Sequence, residues 1–281
     1  MKKSIFVLMG VCAALVACNK QDLVADAPAS ELGQEIVIGC DGDGIDMAVD
    51  TKTTALTALP STLKWGASTG TTTETVKWAT ADGTVSSNKI STGKYQTSTA
   101  TAYNYYVANS AFTVAGDMTV ANNNTDVIAG RTAQSTSATP AVTLNHIFAR
   151  TGTLTCNTQS GYTISGVSWK IVGKSAINGS AGTFNMKSQS WTAASTKLTS
   201  DTAITSSSDM YLIPGTYTIK VTYTLTRGDW TGTFTKQGDV TLVAGKKNNI
   251  TCTAIGGAAS QIVLSLSLTA WGDNAVSLTL S

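Results

Sequence analysis

The chain is short of charge. Only 13% of its 281 residues are Asp, Glu, Lys or Arg, and 19 basic against 17 acidic side chains leave a formal charge of +2. That balance builds no basic face, so no nucleic-acid partner is expected. Glutamate occurs three times and histidine once, which leaves little material for acid–base catalysis or a metal centre. With Lys, Glu and Arg this scarce, long surface helices and coiled coils are excluded. Long apolar runs are also missing. The best candidate, Ile5 to Val16, is shorter than the roughly 20 residues a membrane-spanning helix needs. No HExxH or Walker loop is present. The composition points away from an enzyme, and no cofactor is expected.

Hydroxyl and apolar residues fill the space. There are 47 Thr and 28 Ser, and 42% of the chain is hydrophobic, which rules out disorder driven by charge. Threonine suits a pleated, half-buried surface, so the composition reads as a secreted all-β protein. Short apolar runs recur between Gly, Asn, Asp and Ser clusters. In the second half Val142 to Thr155, Tyr162 to Val172, Tyr217 to Arg227, Gly232 to Leu242, Asn249 to Ala254 and Ile262 to Ala270 read as strands. Tyr217, Ile219, Val221, Tyr223 and Leu225 alternate strictly. Thr132 to Pro140 has the composition of a linker. The expected organisation is two β-sandwich domains in tandem, over 35–140 and 141–281.

The N-terminus reads as an address. Lys2 and Lys3 precede the apolar run, which ends in Leu15-Val16-Ala17-Cys18. Small residues before a cysteine have the form of a bacterial lipobox, with 1–17 as a lipoprotein signal peptide and Cys18 as the acylated first residue. Residues 18–34 are then a polar tether, and the mature chain is anchored by acyl chains. The outer membrane is the expected location.

Three cysteines remain, Cys40, Cys156 and Cys252, none in a CxxC pair. Cys156 follows Leu154 at period two and Cys252 follows Ile250, so a Cys156–Cys252 disulfide is a candidate beside the reading of two buried free thiols. Asp41-Gly42-Asp43-Gly44-Ile45-Asp46 fails as an EF-hand, because Ile45, Asp46 and Lys52 occupy positions 5, 6 and 12. It reads as an acidic turn. His146, in Leu144-Asn145-His146-Ile147-Phe148, reads as a hydrogen-bonded packing residue. Of six tryptophans, Trp191 and Trp230 sit in polar, turn-like settings and are the candidates for an exposed glycan platform.

The two ends of the mature chain match one another. In Glu35 to Cys40 (EIVIGC) the residues Ile36, Ile38 and Cys40 share one face. Lys52 follows in a Thr-rich stretch where trypsin-like cleavage is sterically reasonable. At the other end Val276, Leu278 and Leu280 alternate with Ser277, Thr279 and Ser281. That face must be buried, in the chain's own sheet or by addition to a neighbour.

Together these features resemble the fimbrillin family, the type V pilins and their Mfa-like relatives. The likeness rests on the lipobox at Cys18, the strand before Thr51-Lys52-Thr53-Thr54, Asp126-Val127-Ile128-Ala129 and Leu144 to Ala149. It continues through Leu212-Ile213-Pro214-Gly215-Thr216-Tyr217, Leu242-Val243-Ala244-Gly245-Lys246 and Leu268-Thr269-Ala270-Trp271. The resemblance implies two transthyretin-like β-sandwich domains, export as a lipoprotein and assembly into surface fimbriae with other fimbrial subunits. It further implies cleavage after a basic residue, here Lys52, which removes the strand carrying Ile36, Ile38 and Cys40. The opened groove then receives Val276, Leu278 and Leu280 of the next subunit. The family's cleaved residue is often arginine, and here it is lysine. The alternative expectations are an uncleaved anchor subunit, or a monomeric outer-membrane lipoprotein that binds a glycan or another host or bacterial surface ligand.

Overall fold

The structure, a computed structural model, describes residues 33–42, 59–96, 100–120, 126–172, 182–192, 201–205, 210–254, 262–270 and 275–279. Every regular element among them is a strand. The first eight are β1 (Gln34–Gly42), β2 (Thr62–Thr69), β3 (Thr75–Ser86), β4 (Lys89–Gln96), β5 (Tyr103–Ala108), β6 (Asp117–Val120), β7 (Ile128–Ser135) and β8 (Ala141–His146). They are followed by β9 (Ala149–Thr158), β10 (Thr163–Ile171), β11 (Gly182–Asn185), β12 (Ser190–Thr192), β13 (Thr202–Ile204) and β14 (Tyr211–Leu212). The last five are β15 (Gly215–Arg227), β16 (Trp230–Leu242), β17 (Lys246–Ala254), β18 (Ile262–Ala270) and β19 (Ala275–Thr279).

Seven strands close into a barrel in the order β1-β4-β3-β2-β5-β7-β8. The closing contact is β1 with β8, in parallel, from Gly39 opposite Ala141 to Gly42 opposite Leu144. The expectation for this part of the chain is a β-sandwich. The structure differs because β1 has a hydrogen-bonded neighbour on each side, which removes the edge. Ile36, Ile38, Leu63, Trp65, Tyr105 and Leu144 lie in the barrel core.

Strand pairing runs across residue 140, where the division between the two domains is expected. Residues 128–135 form β7, and 141–146 form its hairpin partner β8, so of Thr132 to Pro140, expected as a linker, the first four residues belong to β7 and the rest connect it to β8. The two halves of the chain are further joined by a three-stranded sheet, β12-β11-β6, in which β6 comes from the first half. β5 is buried along its whole length. Tyr103, Tyr105 and Val107 face the barrel core, while Tyr106 and Ala108 face a second cluster with Met118, Phe148, Phe184, Met186 and Tyr211.

The rest of the chain forms two sheets, β13-β10-β15-β16 and β14-β9-β17-β18-β19. They share a core in which the alternation of β15 is fully used. Tyr217, Ile219, Val221, Tyr223 and Leu225 are buried against Trp169, Ile171, Leu242, Ile250 and Cys252. The opposite face carries paired hydroxyls, with Thr216 on Thr241, Thr222 on Thr235 and Thr224 on Thr233 at 2.8–3.0 Å. β16 ends its sheet, and Lys236 sits on its inner face between Phe234 and Gly238.

Candidate functional site

The apolar face of β1 is the first part of the candidate site. Ile36 and Ile38 are completely buried and Cys40 nearly so. Burying a side chain of that size is worth about 1.5–3 kcal/mol. Backbone bonds hold the strand on both sides: Val37 N–H donates to the Ala138 carbonyl and Gly39 N–H to the Pro140 carbonyl, both at 2.8 Å. On the β4 side Cys40 N–H donates to the Asn88 carbonyl at 2.8 Å and the Thr92 hydroxyl to the Ile36 carbonyl at 2.7 Å. The β1–β4 register slips between Glu35 and Val37. There the Glu35 carboxylate accepts from the Ser91 hydroxyl and from Gly93 N–H.

The last strand is the second part. β19 pairs antiparallel with β18, placing Val276 opposite Leu268 and Leu278 opposite Leu266, and it ends the five-stranded sheet. β1 and β19 therefore sit in different sheets of the same chain. Cys18, the acidic turn from Asp43 on, Lys52, Trp271 and Leu280 lie outside the described residues.

Cys156 and Cys252 come together. β9 and β17 run in parallel, and the two cysteines are direct register partners. Both are free thiols here, Cys252 buried and Cys156 half-buried, while Cys40 is buried in the barrel core. A hydrogen bond from Cys252 holds the Cys156 thiol below its ordinary pKa. The same bond, with burial, pushes Cys252 up. A cavity of about 460 Å³ opens beside them, lined by Leu154, Cys156, Val167, Trp169 and Ile204.

The two candidate tryptophans separate. Trp191 is half-buried against Phe148 and Phe184, and its indole N–H donates to the Ile147 carbonyl at 2.7 Å. Trp230 is 47% exposed at the end of the β15–β16 hairpin. It lies over Phe234 and meets Tyr162 edge-on, with the Arg227 guanidinium over the Tyr162 ring.

His146 is buried as expected of a packing residue, with Nδ1 at 2.7 Å from Asp126 Oδ2. A polar centre not visible in the sequence surrounds Glu74, whose side chain is 1% exposed. Its carboxylate meets Arg131 at 2.9 Å and accepts from the Ser68 and Tyr106 hydroxyls. Burial alone would raise the Glu74 pKa; the two hydroxyls, Arg131 and Lys187 outweigh it and hold the group below its ordinary value. Tyr106 is pushed up to about 12, by burial first and then by its bond to Glu74. Among the described residues no cluster of three His, Cys, Asp or Glu side chains is placed to hold a metal ion.

No protein-family model matches the chain, and no curated protein matches its sequence. Solved structures do match in fold. A protein from Parabacteroides distasonis, provisionally assigned to cell adhesion, superposes with a TM-score of 0.56 at 10% identity, covering 85% of this chain and 98% of that one. A second one from the same organism gives 0.51 at 9% identity, over 85% and 99%. A fimbrilin from Porphyromonas gingivalis gives 0.50 at 9% identity, over 85% and 98%. At such identities the likeness is one of fold, and at that level it agrees with the family resemblance read from the motifs.

Proposed function

We propose that this chain is a structural subunit of a cell-surface fimbria, without catalysis, carried to the outer membrane by a lipid on Cys18. The observation that supports this reading most is the position of β1, which fills the slot between β4 and β8. Its continuation to β2 runs through residues 43–58, where Lys52 lies. Cleavage after Lys52 would leave β1 attached only by hydrogen bonds and by Ile36, Ile38 and Cys40. Its departure would expose two unpaired edges over an apolar core, which is a template for another strand. The donor in this reading is Val276, Leu278 and Leu280 of the next subunit. The fold shared with a fimbrilin supports the same conclusion. The partners are then other fimbrial subunits.

The experiment is intact mass and N-terminal sequencing of protein sheared from its native cells, beside the membrane-bound fraction. Lipid-free sheared chains beginning at Thr53 are expected. A single membrane-bound form beginning at acylated Cys18 would overturn cleavage and leave an anchor subunit or a monomeric lipoprotein.

One observation favours a second role, binding of a glycan on the cell or host surface: the exposed Trp230 ring braced by Phe234 and Tyr162. A flat aromatic face next to hydroxyls and a guanidinium suits a sugar ring. Binding on a glycan array that disappears with Trp230→Ala is expected; an array without hits removes this reading.

A further inference from the structure

We propose that Cys156 and Cys252 form a disulfide-exchange site, closed to an internal disulfide by an external disulfide admitted through the cavity beside β9. The inference concerns the second half of the chain and stands independently of the fimbrial reading.

Three observations meet at this place. The cysteines are register partners on adjacent parallel strands, on the side facing the shared core. Neighbouring strands lie about 4.8 Å apart, inside the Cα separation of about 4.4–6.8 Å that a disulfide tolerates. The two thiols act on one another, Cys252 holding Cys156 down and Cys156, with burial, pushing Cys252 up. Access is unequal: Cys156 lines the cavity of about 460 Å³, with Lys170 also on its wall, while Cys252 is fully buried behind it. The outer thiol is the one whose thiolate is favoured, and the inner one keeps its proton. Thiol–disulfide exchange needs that division between an attacking and a resolving sulfur.

The reaction balances. The Cys156 thiolate attacks one sulfur of R–S–S–R, forming Cys156–S–S–R and releasing R–S⁻. The Cys252 thiol passes its proton to that thiolate, and its sulfur attacks Cys156 Sγ, expelling the second R–S⁻. Two protein thiols are oxidised and one external disulfide is reduced to two thiols. Cys40 takes no part, because it lies in the barrel core. The product is a covalent rung between the two parallel strands at the centre of the five-stranded sheet.

The test exposes the folded, full chain to oxidised glutathione, quenches with an alkylating agent and maps tryptic peptides by mass. The peptide containing Cys156 linked to that containing Cys252 is expected from the wild type. Cys252→Ala should stop with glutathione on Cys156, and Cys156→Ala should leave Cys252 alkylated only after unfolding. Wild-type protein in which both thiols stay reduced, or carry glutathione separately, would overturn the proposal. That result is read without any variant, so a variant that fails to fold does not obscure it.

Discussion

Lys187, in the turn between β11 and β12, reaches back to place its ammonium nitrogen 3.5 Å from Glu74 Oε1 and 2.7 Å from the Thr72 carbonyl oxygen. A residue from the second half of the chain thus helps neutralise a buried carboxylate of the first. Arg131, stacked over the Tyr106 ring at 5.5 Å, completes the neutralisation.

Glu74 should give the protein an acid-sensitive stability. Its folded pKa is depressed, so its contribution is present above the unfolded carboxylate pKa of about 4.3 and is lost as pH falls below it. Urea midpoints measured from pH 7 to pH 3 should fall at the acid end. Glu74→Gln should be less stable at pH 7, by about 3–5 kcal/mol for a broken buried ion pair. The same variant should show a flatter acid limb. An unchanged limb would mean that other carboxylates dominate.

Leu278→Asp should abolish polymer and leave the monomer folded. A donor face of Val276, Leu278 and Leu280 buried in a neighbour draws about 1.5–3 kcal/mol per side chain before ordering costs, and a carboxylate there forfeits more than one such contribution. Sedimentation of the processed protein reads the polymer, and circular dichroism reads the fold. Polymer that survives the substitution would sink the strand-transfer reading.

Gly130→Ala should destabilise the barrel by about 1–3 kcal/mol, as overpacking does. A methyl group at Gly130 would be driven into the Thr143 carbonyl oxygen and against Val142. A backbone oxygen on the adjacent β8 cannot swing aside as a flexible side chain could. Thermal melting of the variant checks this; an unchanged Tm would mean that β7 and β8 separate easily.

Tyr217→Phe tests a local corner. The Tyr217 hydroxyl donates to the Ile213 carbonyl at 2.5 Å in a buried setting, so the Leu212-Ile213-Pro214-Gly215-Thr216-Tyr217 turn is tied by its own last residue. Removing the donor leaves a buried acceptor without it, at about 1–3 kcal/mol, readable as a lower denaturant midpoint at constant slope.

Sequence and structure agree where the signal is local. The β15 alternation is present residue for residue because period two and apolar burial are both written in adjacent positions. Val142 to Thr155 reads as one strand, yet the chain breaks at Ile147 and Phe148, whose side chains enter the cluster against β5. β4 escapes notice because Ile90 is its one buried aliphatic residue and Gly93, at φ 61°, interrupts the pattern. Barrel closure is not legible, since the partners of the parallel β1–β8 pair lie far apart in sequence and carry no mutual mark. Trp191 looks exposed from its polar neighbours and is instead anchored through Ile147, a contact only tertiary structure supplies. The shared facing of Cys156 and Cys252 is visible at period two; their register is not.

The placement of Lys236 has a consequence for growth. An inward-turned charge on an end strand bars an incoming strand from docking alongside it, and β16 carries that bar at mid-length. The opposite sheet ends in β19, whose sequence Ala275-Val276-Ser277-Leu278-Thr279 bears no charge. One flank of the molecule is thereby closed to its own kind and the other is left open. Two copies that met through that open flank alone would use the same edge twice and stop at a two-fold pair, so growth beyond two needs a second, different surface.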